Sequence, residues 1–200
     1  MDLIIIIFLL GGLFLGWSLG ANDAANVFGT AVGTRMVKFK TAALVCSVFV
    51  ILGAIISGAG TTETLGKLGA INALPGAFAA CVAAGLSVYI MTKFGLPVST
   101  TQAIVGAIVG WNIYTGSSIN IKILFTILAT WVLCPIIAAL IAMLFFTFTK
   151  QILRKSNWHL FRLDAYTRTA LLLVGAFGAY SLGANNIANV MGVFVPISPF

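Results

Sequence analysis

The sequence predicts an all-α polytopic membrane protein organised as an inverted repeat, with helices broken inside the membrane and one re-entrant helical hairpin. Three observations lead there. Hydrophobic residues make up 60% of the 200-residue chain and charged residues 8%, whereas a soluble domain carries about 25% charge. Several apolar runs exceed the roughly 18 residues that mark a membrane span. Finally, Ser-Leu-Gly-Ala-Asn-Asp-Ala-Ala-Asn-Val at 18–27 returns as Ser-Leu-Gly-Ala-Asn-Asn-Ile-Ala-Asn-Val at 181–190, and the wider match of 9–33 to 172–196 keeps 14 of 25 positions. A polar, glycine-bearing motif duplicated in lipid-grade sequence is the pattern of membrane proteins assembled from two related units.

The first unit is read over 1–149. Residues 3–34 are nearly uncharged apart from Asp23. As one helix they would run about 48 Å, against a hydrocarbon core of about 30 Å, so Gly20-Ala21-Asn22-Asp23 is the expected break. The N-terminus has no basic region and no small-residue cleavage site, and is expected to be a retained span. A basic loop at 35–40 precedes a span at 41–59, and 60–72 reads as a loop. Residues 73–113 form a hairpin. Its tip, Pro97-Val98-Ser99-Thr100-Thr101-Gln102, combines a proline suited to a first helical turn with residues suited to N-terminal capping, and the 11 apolar residues that follow are short for a span. Residues 121–148 make a long tilted span. The basic stretch 150–168, interleaved with Trp158, Phe161 and Tyr166, is expected to be an amphipathic linker lying at the membrane interface. Residues 169–200 begin the second unit.

Crossing parity sets the relation between the units. Treating 73–113 as a re-entrant hairpin leaves three crossings between the two motif copies; treating it as two spans leaves five. Both are odd, so the second copy enters from the opposite face. A four-crossing version would put the most basic loop outside and conflicts with the positive-inside rule. With the N-terminus outside, 35–40 and 150–168 are both cytoplasmic. The net charge of +7 is thereby explained by loop topology, and no nucleic-acid partner is expected.

Asp23 is the one acidic residue inside an apolar run. A carboxylate near the bilayer centre costs about 3 kcal/mol on insertion scales, and such a group is usually kept for an ion, a proton or a partner charge; capping of a half-helix is the plainer alternative. Asn22 and Asn26, and Asn185 and Asn189, are spaced i, i+4 and would share a helix face. Their amide oxygens suit a hard cation such as Na⁺ beside a carboxylate, although asparagines also bond helices together in membranes. Ser99, Thr100, Thr101 and Gln102 at a helix N-terminus offer hydroxyl and N–H donors to a tetrahedral oxyanion; simple capping is again the alternative. Cys46, Cys81 and Cys134 lack CxxC spacing and read as small core residues. His159 stands alone, so no metal cluster forms around it. A potassium-type filter is absent, and an intramembrane aspartyl protease would need a second buried aspartate, so neither a channel nor an enzyme is expected.

Gly20-Ala21-Asn22-Asp23-Ala24-Ala25-Asn26, its echo at 183–189, and Pro97-Val98-Ser99-Thr100-Thr101-Gln102 together resemble the inorganic phosphate transporter family of sodium- or proton-coupled symporters. The resemblance implies a multi-pass cell-membrane protein, often a homodimer, in which phosphate and cations bind between two inverted repeats that work by alternating access. Carried onto this chain, it implies phosphate at Ser99, Thr100, Thr101, Gln102 and Asp23, and Na⁺ at Asn22, Asp23, Asn26, Asn185 and Asn189, with H⁺ as the other coupling ion and sulfate as the nearest other substrate. No second Pro-x-Ser-Thr-Thr follows by Phe200. The sequence therefore looks like one repeat plus the first segment of another, whose remainder is expected in a longer protein or a partner chain.

Overall fold

The computed structural model describes residues 3–60, 62, 67, 68, 71, 74–155 and 159–195, with residues 3 and 4 by backbone alone. Most of the loop expected at 60–72, Trp158 and the segment from Pro196 onward lie outside these residues. Six helices order the described residues: α1 (Leu3–Gly33), α2 (Phe39–Ser57), α3 (Leu74–Lys93), α4 (Thr100–Thr115), α5 (Ile121–Lys155) and α6 (Leu160–Met191). No β-strand occurs among the described residues. All but α4 are long and apolar enough to cross a membrane.

Two expectations about helix continuity are corrected. Helix α1 runs unbroken through Gly20-Ala21-Asn22-Asp23, and α6 runs unbroken through the second copy. The alanines around the motif are strong helix formers, and Asn22 and Asp23 find partners on other helices, so the backbone has no need to unwind around them. At 31 residues α1 is about 46 Å long, and fits a bilayer only by tilting or by extending beyond the core. The second correction concerns 150–168, whose described residues form no separate helix: 150–155 continues α5 and 160–168 opens α6.

The hairpin is formed by α3 and α4. A Cβ on Gly76, near the start of α3, would meet the indole of Trp111 near the end of α4, so the two helices are antiparallel. The turn between them has no regular secondary structure over 96–99, Ser99 is extended, and Gly95 takes a left-handed φ of 68°. Ser99 caps α4, accepting from the Gln102 N–H at 3.3 Å. Gly116 closes the helix with φ 68°, its N–H bonded to carbonyls of the last turn.

Helix α1 lies along α3, and α2 lies along α6. The α2–α6 crossing is backbone on backbone: a Cβ on Gly53 would run into the Tyr180 carbonyl, and one on Gly183 into the Val50 carbonyl. Small residues allow such approach where lipid offers no hydrophobic drive to associate. Helices α1 and α6 cross antiparallel, since Gly12 lies against Val190 and Phe194 while Val27 and Phe28 lie against Gly178 and Gly175. Two cores result. One gathers Leu15, Cys81, Ala84, Ile104, Ile108 and Phe194 around the hairpin; the other gathers Phe28, Ala31, Ala42, Cys46 and Ala179 between α1, α2 and α6. No residue of α5 is buried; Ile123, Leu124, Ile127 and Trp131 rest on the first core and its remaining surface is open.

Candidate functional site

The site forms where α1 and α6 cross in front of the α4 N-terminus. The α1–α6 crossing brings the two motif copies together, and the hairpin turn delivers Pro97 to Thr101 between them. The Asp23 carboxylate sits at the centre. Its Oδ2 accepts from Asn186 Nδ2 at 3.0 Å and from Thr100 Oγ1 at 3.4 Å. Asn189 Nδ2 donates to Asn186 Oδ1 at 2.7 Å and to Thr101 Oγ1 at 3.0 Å. A single network thus joins both motif copies to the hairpin tip, and Thr100, Asn186 and Asn189 are buried within it.

Beside the network lies a cleft of about 530 Å³, lined by Asp23, Asn26, Ser99, Thr100, Thr101, Asn185 and Asn186, with Pro97, Val98, Val27 and Leu182 as apolar walls. Ser99 satisfies the Gln102 N–H, and the first helical bond runs from the Ala103 N–H to the Ser99 carbonyl. The Thr100 and Thr101 N–H groups are left without an intrahelical acceptor, with the positive end of the α4 dipole behind them. An adjoining cavity of about 400 Å³ shares Ser99, Thr101 and Asn185, and adds Asn189 and Trp131.

Seven of the nine residues singled out from sequence come together here: Asp23, Asn26, Ser99, Thr100, Thr101, Asn185 and Asn189. Asn189 lines only the adjoining cavity, and two others line neither. Asn22 is buried against the hairpin, 3.0 Å from Thr92 Oγ1; with its amide turned, its nitrogen reaches the Val98 carbonyl and Asp23 Oδ1, each at 3.1 Å. Gln102 has an exposed side chain, and its backbone N–H is taken by the Ser99 cap. The i, i+4 pairs do not share an environment: Asn22 and Asn189 are buried, whereas Asn26 and Asn185 are exposed toward the cleft. Sequence reasoning passed over Asn186, the nearest partner of Asp23. Its signal was present, because Asn186 is the counterpart of Asp23 in the repeat, and an antiparallel crossing brings such counterparts face to face.

Chemically the cleft opposes two kinds of group. Hydroxyls, amide N–H groups and a helix N-terminus offer donors to an oxyanion, while the Asp23 carboxylate and amide oxygens offer ligands to a hard cation. Among the described residues no three His, Cys, Asp or Glu side chains come together, and the oxygens that face the cleft are those of one carboxylate and of neutral side chains. Lys93 does not enter the cleft; it is exposed, with its ammonium 5.5 Å from the Tyr89 ring centroid.

Membrane-length helices, an antiparallel duplicated motif and a polar cleft between its copies define an integral membrane protein with a polar site built from both copies. Comparison with known proteins gives the family. A model described as the phosphate transporter family matches residues 19–166, and the chain belongs to that family. It is 39% identical over 168 residues to a protein of Thermococcus kodakarensis named as a phosphate permease, covering 78% of this chain and 41% of that protein. Over 148 residues it is 32% identical to the chloroplastic inorganic phosphate transporter 2-1 of Arabidopsis thaliana, covering 68% of this chain and 25% of that protein. The chain thus spans less than half the length of these relatives. Among solved structures, the sodium-dependent phosphate transporter superposes with a TM-score of 0.77 at 24% identity, over 99% of this chain and 69% of that one. It shares the fold.

Proposed function

We propose that this chain forms part of a Na⁺-coupled symporter of inorganic phosphate that works by alternating access, with its site in the cleft between the motif copies. The observation that carries the reading is the position of Asp23: the one carboxylate of the cleft lies one hydrogen bond from Thr100, at the N-terminus of α4. An oxyanion drawn to the Thr100 and Thr101 donors comes close to that carboxylate. Two unit charges 4 Å apart repel by about 4 kcal/mol at an effective dielectric of 20, so the anion binds well only when cations enter with it. One carboxylate and one monoanionic phosphate are balanced by two Na⁺. Asp23, Asn26, Asn185 and Asn189 supply the cation oxygens, while Ser99, Thr100 and Thr101 hold the anion. Asn22 acts from behind, by fixing Asp23 and the turn at Val98. Phosphate keeps a proton near neutral pH, and Asp23 can accept a hydrogen bond from it; sulfate has none, and meets repulsion alone.

The N-terminus lies outside a cell membrane with 35–40 and 150–168 in the cytoplasm, and the assembly is a homodimer completed by the remainder of the second repeat. The deciding experiment is phosphate uptake by membrane vesicles containing the protein, with Na⁺ or proton gradients imposed separately and with unlabelled sulfate as competitor. Asp23→Asn should abolish the Na⁺ stimulation; Na⁺-stimulated uptake at the wild-type rate in that variant removes Asp23 from coupling. Uptake driven by protons alone replaces Na⁺, and full competition by sulfate replaces phosphate selectivity with a general oxyanion permease.

A further inference from the structure

A second polar pocket lies on the far side of Asn22 from the cleft. It has a volume of about 370 Å³ and is lined by Trp17, Ser18 and Ala21 of α1 and by Tyr89, Thr92 and Lys93 of α3. Asn22 lines neither space and stands between them. It bonds the pocket wall at Thr92, 3.0 Å away; with its amide turned it reaches the cleft wall at the Val98 carbonyl and Asp23 Oδ1, each at 3.1 Å. One side chain therefore joins the two walls. Helices α1 and α3 run parallel, since Gly11 lies against Phe78, Gly85 against Phe14 and Leu15, and Asn22 against Thr92. The α1 residues of the pocket precede Asn22 and Asp23, so in the proposed topology it lies on the outer side of the cleft.

Two features of this pocket point to an anion. Ser18 is 1% exposed, and its Oγ has no hydrogen-bond partner. On α3, Ser87 and Thr92 turn their hydroxyls back to the carbonyl four residues earlier, the usual resort of a helical hydroxyl. Ser18 does not, and a buried hydroxyl is costly to leave unpaired. Lys93 supplies a positive charge, and no carboxylate lines the pocket. Its ammonium rests 5.5 Å from the Tyr89 ring centroid, and that ring lies 5.6 Å from the Trp17 ring. Trp17 stands about 21 Å from the start of α1 and about 24 Å from its end. At that depth a charge is kept for a counter-charge or a water-filled path.

We propose that this pocket is an oxyanion subsite ahead of the cleft, and that it takes inorganic phosphate without Na⁺. Lys93 Nζ and Ser18 Oγ donate to the anion, and Trp17 and Tyr89 wall it. Asp23 lies beyond Asn22, so no cation has to enter with the anion, and sulfate is accepted as readily as phosphate. A lipid headgroup phosphate does not reach this depth. Passage to the cleft requires the Asn22–Thr92 contact to open. For its ligand the subsite rests on the phosphate-transport reading; its charge and its cation independence are its own.

The test is equilibrium binding of radiolabelled phosphate to the detergent-purified protein, with either choline or Na⁺ as the cation. In choline the wild type should bind phosphate, and unlabelled sulfate should displace it. Lys93→Met should weaken that binding by about tenfold or more, as loss of one charge-assisted hydrogen bond does. Ser18→Ala should weaken it as well, and Lys93→Arg should preserve it. Asp23→Asn should leave it intact while removing the binding that Na⁺ adds. No phosphate binding in choline, or binding that Lys93→Met leaves at wild-type affinity, overturns the subsite. Binding in choline that disappears in Asp23→Asn belongs to the cleft and overturns it too. Failure of the cleft reading shows separately, as Na⁺-stimulated binding that is absent from the wild type or unchanged by Asp23→Asn. Should Lys93→Met fail to fold, Trp17 carries the comparison: phosphate in choline should change the fluorescence of the wild type and not that of Trp17→Phe, and an equal change in both overturns the subsite.

Discussion

Two stretches of nearly the same sequence, 18–27 and 181–190, do different work. In the first copy Asn22 is buried against Thr92 and Asn26 is open to the cleft; in the second Asn185 is open and Asn189 is buried against Thr101. The buried residue sits at opposite ends of the two motifs. That reversal follows from the antiparallel crossing of α1 and α6, which presents the two copies to one hairpin in opposite directions. The copies therefore build one site from its two sides. The position that differs between them and lies on the shared network, Asp23 against Asn186, bonds to itself across the crossing. An aspartate in both copies would set two carboxylates together there, and the asparagine serves as donor to the single charge.

The largest break in this comparison should come from glycine. Gly183→Leu drives a side chain into the α2 backbone, at or beyond the upper end of the roughly 1–3 kcal/mol typical of overpacking. Gly20→Leu, at the equivalent position of the first copy, enters open space in this chain. Thermal unfolding in detergent should show severe loss for the first and little change for the second; equal losses would mean that the two crossings are packed alike. Next comes charge. Asp23→Asn should cut Na⁺-driven phosphate uptake on the order of 100-fold, since it removes the attraction that brings cations in with the anion, and Asn186→Asp should also impair uptake by adding a like charge 3.0 Å from Asp23. Restoration of uptake in the Asp23→Asn, Asn186→Asp double variant would show that the two sides of the crossing are interchangeable.

A finer contrast separates the asparagines. Asn189→Ala leaves the buried Asn186 carbonyl without its donor and frees Thr101, at a cost of about 1–3 kcal/mol. Asn26→Ala removes an exposed amide from the cleft wall and should leave stability unchanged while weakening apparent Na⁺ affinity. A stability loss in both, or in neither, would dissolve the distinction between the buried and open asparagine.

Much of this was legible from sequence, for identifiable reasons. Membrane class follows from composition, the hairpin from Pro97 and its short apolar sequel, and the antiparallel relation of the copies from crossing parity. The continuous helices were not legible. Gly20 and Asn22-Asp23 read locally as breakers, but their polar groups are satisfied by Thr92, Thr100 and Asn186, residues 70 or more positions away, and such partners do not show in a local window. The division of labour within each i, i+4 pair was hidden for the same reason: burial at Asn22 or Asn189 is decided by the hairpin and not by the helix that carries them. Asn186 was visible as the counterpart of Asp23, but only the crossing turns counterparts into neighbours.

The smallest expected effect lies at the cytoplasm-facing end of the proposed topology, where the copies differ by what precedes them. Arg168, on α6 ahead of the second copy, bonds Asp164 at 2.7 Å and donates through Nη1 to the Met36 carbonyl at 2.9 Å. The first copy has Ile5 at the matching position. The turn that Arg168 grips leaves α1 through Arg35 at φ 60° and returns the Val37 N–H to the Ala31 carbonyl, so it is a tight, left-handed helix end. The Arg168–Asp164 pair is exposed, and pairs of that kind add little to global stability. The bond to Met36 acts locally, because it ties the end of α1 to α6. Arg168→Ala should therefore leave unfolding and uptake near wild type while amide exchange quickens across 34–38 and not in the cleft. Asp164→Ala loosens the arginine without removing it and should quicken the same amides less. Unchanged exchange in both variants would mean that the α2–α6 crossing alone fixes this end of α1.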